Sequence, residues 1–216
     1  MGNYRLILKR VGWVLIVTGV LDVAYMIYCI ARGMSYSSSF NVFAVVAGVF
    51  LLKGHLGAVR LITRLTAFML SASLGMLLVL FPLMQPPGLW FARWRLDPAS
   101  TLLGTVLMIA VMVLLFWIYW QLRAPSVVQA RVKAGQSASP PRAAFLTGAL
   151  LVAGLAIVMH FILLGGMGAK AVQLAQAKAG PSYEYCITSM SWGGEHGRAS
   201  VIAYNDHEIK SVEVKW

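Results

Sequence analysis

Apolar stretches alternate with short polar stretches along most of the chain, and the polar stretches contain most of the charged residues. An α-helix rises 1.5 Å per residue, so roughly 20 apolar residues cross about 30 Å of hydrocarbon. The second stretch is near the short end of that range. The pattern predicts five transmembrane helices, at residues 11–31, 36–52, 65–84, 100–122 and 143–168.

The period of the pattern changes after the fifth apolar stretch. An alanine-rich segment that ends before Gly180 and Pro181 predicts a short helix. Polar and apolar residues then alternate, which is typical of strands: Val212, Val214 and Trp216 share one face of the last strand. We therefore predict a transmembrane bundle at 1–169 and an extracytoplasmic tail at 170–216, which holds a helix and a three-stranded antiparallel meander.

The predicted meander is about 34 residues long, and domains under about 40 residues seldom fold alone. One face of the sheet is apolar and needs a cover. Four covers remain open at this point: the outer surface of the bundle, the alanine-rich helix, a second copy of the chain, or another protein. The last strand also leaves an edge that can pair with a partner strand.

The connections between the predicted helices have patterns of their own. Residues 53–64 predict a helical turn in the membrane interface. Residues 85–100 combine prolines with Trp90, Phe91 and Trp94, which predicts an interfacial loop. Residues 123–142 are basic and rich in proline and serine, which predicts a linker.

Lysine and arginine are distributed unevenly among these connections. The N-terminus and the connections after the second and fourth helices hold ten, whereas the connections after the first and third hold three. The positive-inside rule then places the N-terminus in the cytoplasm and the C-terminus outside. We expect a multi-pass protein of the inner (cell) membrane whose first helix is retained rather than cleaved as a signal peptide.

Composition supports a membrane location and argues against several function classes. Hydrophobic residues make up 59% and charged residues 12% of the chain. The net charge of +11 comes from scattered short clusters, which indicates lipid head groups rather than nucleic acid as the partner. No nucleophile elbow, zinc-protease motif, P-loop or dinucleotide fingerprint occurs. We therefore expect no enzyme activity and no cofactor.

Two polar residues stand out within the predicted helices. Asp22 lies near the middle of the first helix and His160 in the outer half of the fifth. A carboxylate at this depth is costly and indicates a functional role by default. Two interpretations remain open, a proton relay or polar binding spot between helices and a protonated Asp22 that serves packing alone.

The tail and the two cysteines offer further candidates. His196 and His207 belong to turns that follow opposite ends of the second strand, so we expect no shared metal site. Cys29 and Cys186 are expected on the same outer side of the membrane, where a disulfide between them would staple the small sheet. Free, buried thiols are the competing expectation.

Three function classes remain after these exclusions. The first is a non-catalytic accessory or scaffold protein of the cell envelope that docks another envelope protein, or a second copy, through its C-terminal β module. The second is a small oligomeric transporter or channel that uses Asp22 and His160. The third is an immunity-type membrane protein. We favour the first, because about a fifth of the chain forms an external module without catalytic residues.

Overall fold

The chain is mostly helical and ends in a sheet. The structure is a computed structural model, and it describes residues 3–34, 36, 41–193 and 196–216. A π-helical segment, Met76–Leu80, joins α3 to α4. The helices of the described part are α1 Asn3–Ala31, α2 Asn41–Leu52, α3 Leu56–Gly75, α4 Phe81–Met84, α5 Pro87–Leu96, α6 Pro98–Leu122, α7 Pro125–Lys133, α8 Arg142–Leu164 and α9 Gly166–Ala179; the strands are β1 Glu184–Gly193, β2 His196–Tyr204 and β3 Ile209–Lys215.

Within the described part of the chain, four helical stretches are long and apolar enough to cross a membrane: Tyr4–Ala31, Leu56–Met84, Pro98–Leu122 and Arg142–Leu163. At most 17% of the residues in the most apolar part of each stretch are buried within the protein. Their outward surface is therefore apolar, as expected for helices that contact lipid.

The predicted second span differs from what the structure describes. Tyr36 lies outside any helix, and α2 has 12 residues, which corresponds to about 18 Å. That length is too short to cross the hydrocarbon alone, so the described residues show four helices of spanning length and the fifth crossing stays a prediction. Residues 35 and 37–40 lie outside the described part of the chain.

All three predicted connections contain helix, although only the first was predicted as a helical turn and the other two as a loop and a linker. The predicted interfacial turn at 53–64 is continuous with the third span, since α3 already begins at Leu56. The predicted loop contains α5, which starts with a proline in its first turn, a position where the missing N–H costs nothing. The predicted linker contains α7, which begins in the same way.

The structure divides into two compact units, and the boundaries between them fall inside α3, α6 and α8. The first unit is Met1–Leu70 with Val113–Phe145, and the second is Ser71–Met112 with Leu146–Trp216. This grouping differs from the predicted division at residue 169, which stays a prediction.

The core of the first unit forms where α1 and α2 pack antiparallel. Gly48 lies so close to Gly12 that a Cβ added at Gly48 would be 2.6 Å from the Gly12 carbonyl oxygen. Small residues allow this approach of two helix backbones. The apolar side chains around the contact are contributed by α1, α2, α3, α6 and α7: Leu8, Val11, Leu15, Ala44, Leu51, Val59, Ile62, Ile118, Leu122 and Val127.

The second unit contains the predicted antiparallel meander, with strand order β1-β2-β3. Residues 193 and 196 pair at the first turn, and the register shifts at a bulge between Ile187 and Ser189. The last strand continues to the terminal residue, because Gly197 and Trp216 exchange both backbone hydrogen bonds. The predicted three-stranded sheet is therefore confirmed.

Candidate functional site

The alanine-rich helix covers the apolar face of the sheet. Ala171 and Ala175 of α9 are fully buried against Val201 and Val214, and Ile187 completes the centre of this contact. Alanine at these positions lets α9 lie close to the strands. Of the four covers left open by the sequence, the alanine-rich helix is the one found on this face.

The opposite face of the sheet is covered at one end by α5. Leu89 and Ala92 pack against Cys186 and Tyr204. The approach is close at Gly88, where an added Cβ would lie 3.0 Å from a carboxylate oxygen of Glu184. Burial, together with the hydrogen bond to that carboxylate, raises the pKa of Tyr204. No local pattern in the sequence indicates this second cover.

The edges of the sheet differ in their chemistry. On the β3 edge, the Lys178 ammonium donates to the Glu213 carbonyl oxygen at 2.8 Å. Charged residues also lie along the β3 strand, and charges on an edge strand commonly prevent it from pairing with another strand. On the β1 edge, the antiparallel pattern turns the backbone groups of Met190 and Trp192 away from β2. Among the described residues, no hydrogen bond from another segment reaches those groups.

A cleft of about 700 Å³ lies in the second unit between the π-helical segment, α5 and the first turns of α6. Its polar lining includes Gln85, Arg93 and Asp97, and Leu77 and Met108 contribute apolar surface. Asp97 caps α6, because its carboxylate accepts the Ser100 N–H at 3.2 Å. The Asp-Pro pair that opens α6 signals this cap in the sequence, but no sequence pattern singles out the cleft.

Asp22 is half-buried in the first unit and accepts a hydrogen bond from the Tyr36 hydroxyl at 2.8 Å. An uncharged carboxyl group and an ionised one can both accept this bond. The contact links α1 to the segment that leads into α2. His160 belongs to the second unit, where its ring is exposed and packs edge-on against Phe161. A relay between Asp22 and His160 stays a prediction.

The remaining predicted residues are separated as follows. His196 begins β2 and His207 follows its end, so roughly 30 Å of strand separates these exposed residues. Gly194 and Glu195, of the first turn, lie outside the described residues. Cys29 and Cys186 are buried thiols, one in each compact unit, and burial raises the pKa of Cys186. The disulfide stays a prediction.

Together, the apolar helices of spanning length and the helix-covered sheet define a mostly helical protein compatible with several membrane crossings. Comparison with known protein families, with curated proteins and with solved structures gives no match.

Proposed function

We propose that this chain is a non-catalytic accessory or scaffold protein of the cell envelope, with the C-terminal β module as its docking surface. The observation that carries the proposal is the contrast between the faces and the edge of the sheet. Helices α9 and α5 bury its apolar positions, whereas the β1 edge keeps backbone donors and acceptors directed outward. An edge of this kind binds an extended segment of a partner by strand addition.

The proposal includes five membrane crossings, with the N-terminus in the cytoplasm and the module outside. The second crossing would combine α2 with the stretch that precedes it. Two contacts indicate that the chain runs back along α1 after residue 31. The Tyr36 hydroxyl donates to Asp22, and Leu51 packs in the same apolar cluster as Leu8, near the start of α1. By residue 51 the chain has thus come back along α1 to the end where it began. In a bacterium, the module would lie in the periplasm.

The test is co-purification from native membranes in a mild detergent with a proline variant at the β1 edge. Met190→Pro removes one outward-facing N–H, and proline is tolerated where that N–H does not pair within the sheet. We expect a stable partner to co-purify with the unaltered chain and to be lost from Met190→Pro. Thermal unfolding of both proteins checks that the variant remains folded.

The matched control places proline on the other edge. The backbone of Glu213 also faces outward, because Lys178 binds its carbonyl oxygen. Glu213→Pro should therefore keep the partner. Loss of the partner from both variants would point to general damage to the sheet. A pure homo-oligomer that survives Met190→Pro would instead favour the transporter or channel class.

A further inference from the structure

Arg131 of α7 is buried in the first unit, with 4% of its surface exposed. One terminal nitrogen of its guanidinium donates to the Ser137 carbonyl oxygen at 3.0 Å. Its Nε is also buried and has no hydrogen-bond partner among the described residues. A guanidinium has five N–H donors in a fixed planar fork, so a donor left unpaired inside the protein calls for an acceptor.

The surroundings of Arg131 add positive charge. Burial is the main cause that lowers its pKa, and the charges of Arg123, Arg60 and Arg64 lower it further. The ion pairs found among the described residues all belong to the second unit. The only acidic residue in the sequence of the first unit is Asp22, whose carboxylate accepts the Tyr36 hydroxyl. The arginine cluster, defined by residues 60, 64, 123 and 131, therefore has no carboxylate counter-charge described beside it.

Two of these arginines also organise the segment that follows α7. The Arg123 guanidinium donates to the Ala138 carbonyl oxygen at 2.9 Å, next to the Ser137 carbonyl bound by Arg131. Neutral carbonyl oxygens satisfy single N–H groups but do not balance the charge of several arginines. Arg60 and Arg64 lie one helical turn apart on α3 and are exposed, so the cluster remains open to a ligand from outside.

An apolar cavity of about 300 Å³ lies deeper along the same helices. On α3 it begins at Ile62, between the two arginines, and on α6 its lining residue Ile118 precedes Arg123 by five residues. At 1.5 Å per residue, the middle of the cavity is roughly 5 to 10 Å from the arginines along the helix axes. Helices α1 and α2 close the other sides with Leu15 and Ala44.

We propose that the arginine cluster binds the phosphate of an anionic phospholipid and that the apolar cavity holds part of its acyl chain. Arginine matches a phosphate with paired, charge-assisted hydrogen bonds. Basic pockets between transmembrane helices bind phospholipid head groups in this way. A residue that acts only as a topology signal has no need to be buried, whereas Arg131 is buried with a donor directed at no acceptor. The cavity selects a lipid over a free phosphate, which shares the same head-group chemistry.

The test measures binding to the full-length protein purified in a neutral detergent. The probes are phosphatidylglycerol, phosphatidylcholine with the same acyl chains, glycerophosphoglycerol (the head group without acyl chains) and inorganic phosphate. Native mass spectrometry counts bound lipid, and thermal unfolding reports stabilisation. We expect one phosphatidylglycerol to bind and to raise Tm, and we expect phosphatidylcholine to do neither.

Two double variants separate the site from general electrostatics. Arg60→Gln with Arg64→Gln removes two exposed members of the cluster and should weaken phosphatidylglycerol binding about 30-fold. Lys133→Gln with Arg142→Gln removes the same charge from exposed positions of the same unit and should change binding less than about threefold. Equal losses from both pairs would overturn the proposal, because binding would then follow net charge alone.

The remaining probes identify the source of the phosphate. If glycerophosphoglycerol or inorganic phosphate stabilises the protein as strongly as the lipid, with the same dependence on Arg60 and Arg64, the lipid assignment is overturned and a soluble phosphate compound is the ligand.

Arg131→Met tests the buried position itself. It should abolish the shift in Tm caused by phosphatidylglycerol without lowering Tm in its absence, since a buried charge without a counter-ion does not stabilise the fold.

Discussion

At the scale of single residues, polar groups inside the apolar helices are satisfied by groups close in sequence or on the adjoining segment. The Thr63 hydroxyl donates to the carbonyl oxygen four residues earlier, and Thr18 does the same. Asp22 accepts the Tyr36 hydroxyl. This arrangement favours the packing interpretation of Asp22, because a neutral hydroxyl supplies its hydrogen bond. Arg131 is the contrasting case, with a buried donor left over.

The terminal residue of the chain holds the end of the sheet, and Gly197→Ala tests this. The Trp216 ring lies over Gly197, where an added Cβ would be 2.2 Å from the nearest ring atom. We expect Gly197→Ala to lower the free energy of unfolding of the module by about 1 to 3 kcal/mol, because the ring must move. Hydrogen exchange of the β2 and β3 amides measures the loss.

Gly193→Ala is the matched control for that substitution. Gly193 lies in the neighbouring strand, has a backbone conformation open to alanine, and has no atom within 4 Å of an added Cβ. Gly193→Ala should change the free energy of unfolding measured by exchange of the β2 and β3 amides by less than about 0.5 kcal/mol. Equal effects of the two substitutions would show that the Trp216 ring is not packed on Gly197.

At the scale of elements, the sequence pattern predicted the long apolar helices and the sheet because each has a clear period. Strand alternation at Val212, Val214 and Trp216 is found on the face covered by α9. The pattern did not predict α5 or α7. Each has ten residues or fewer and begins with a proline, a residue that is equally typical of loops.

The cover of the second sheet face could not be predicted for a different reason. Cys186 and Tyr204 alternate with apolar residues that face α9, so local sequence assigns them to a solvent-exposed face. Their burial depends on α5, which is separated from β1 by α6, α7, α8 and α9 in the chain. Contacts this distant in sequence arise from tertiary packing and have no local signature. The same holds for the arginine cluster, whose members come from three separate helical regions.

Helix α2 depends on its close contact with α1, and Gly48→Ala tests that dependence. A Cβ at residue 48 would lie 2.6 Å from both the Gly12 carbonyl oxygen and a side-chain carbon of Ile16. We expect a loss of about 1 to 3 kcal/mol, since backbone atoms cannot move aside as a side chain can. Thermal unfolding in detergent provides the measurement.

Gly104→Ala serves as the comparison within another long helix. Nothing lies within 4 Å of an added Cβ at residue 104, so this change should be neutral or stabilise by up to about 1 kcal/mol through helix propensity. The prediction is that Gly48→Ala destabilises the protein and Gly104→Ala does not. A Gly48→Ala protein as stable as Gly104→Ala would contradict the packing of α2 on α1.

At the scale of the whole molecule, charge is divided unevenly between the two compact units. The first contains eleven of the eighteen lysines and arginines and only one of the seven acidic residues. The second contains the other seven basic residues and six acidic ones, so it is nearly neutral. Basic residues near membrane helices stay on the cytoplasmic side, which favours a cytoplasmic location for the N-terminus and for the connections after α2 and α6, all of which belong to the first unit.

The orientation of the chain is the last prediction, and two reporter fusions test it. We expect a reporter that is active only outside the cytoplasm to be active after Trp216 and silent after Lys133. The reason is the proposed return of α1 and α2 together to the starting side, after which α3, α6 and α8 would supply three further crossings. If α2 and the residues before it did not return, the chain would cross four times and both signals would be reversed. Activity after Lys133 with silence after Trp216 would therefore contradict both the five crossings and the external position of the sheet. A reporter fused within α5 is the control, because its signal should match the signal after Trp216 with either number of crossings.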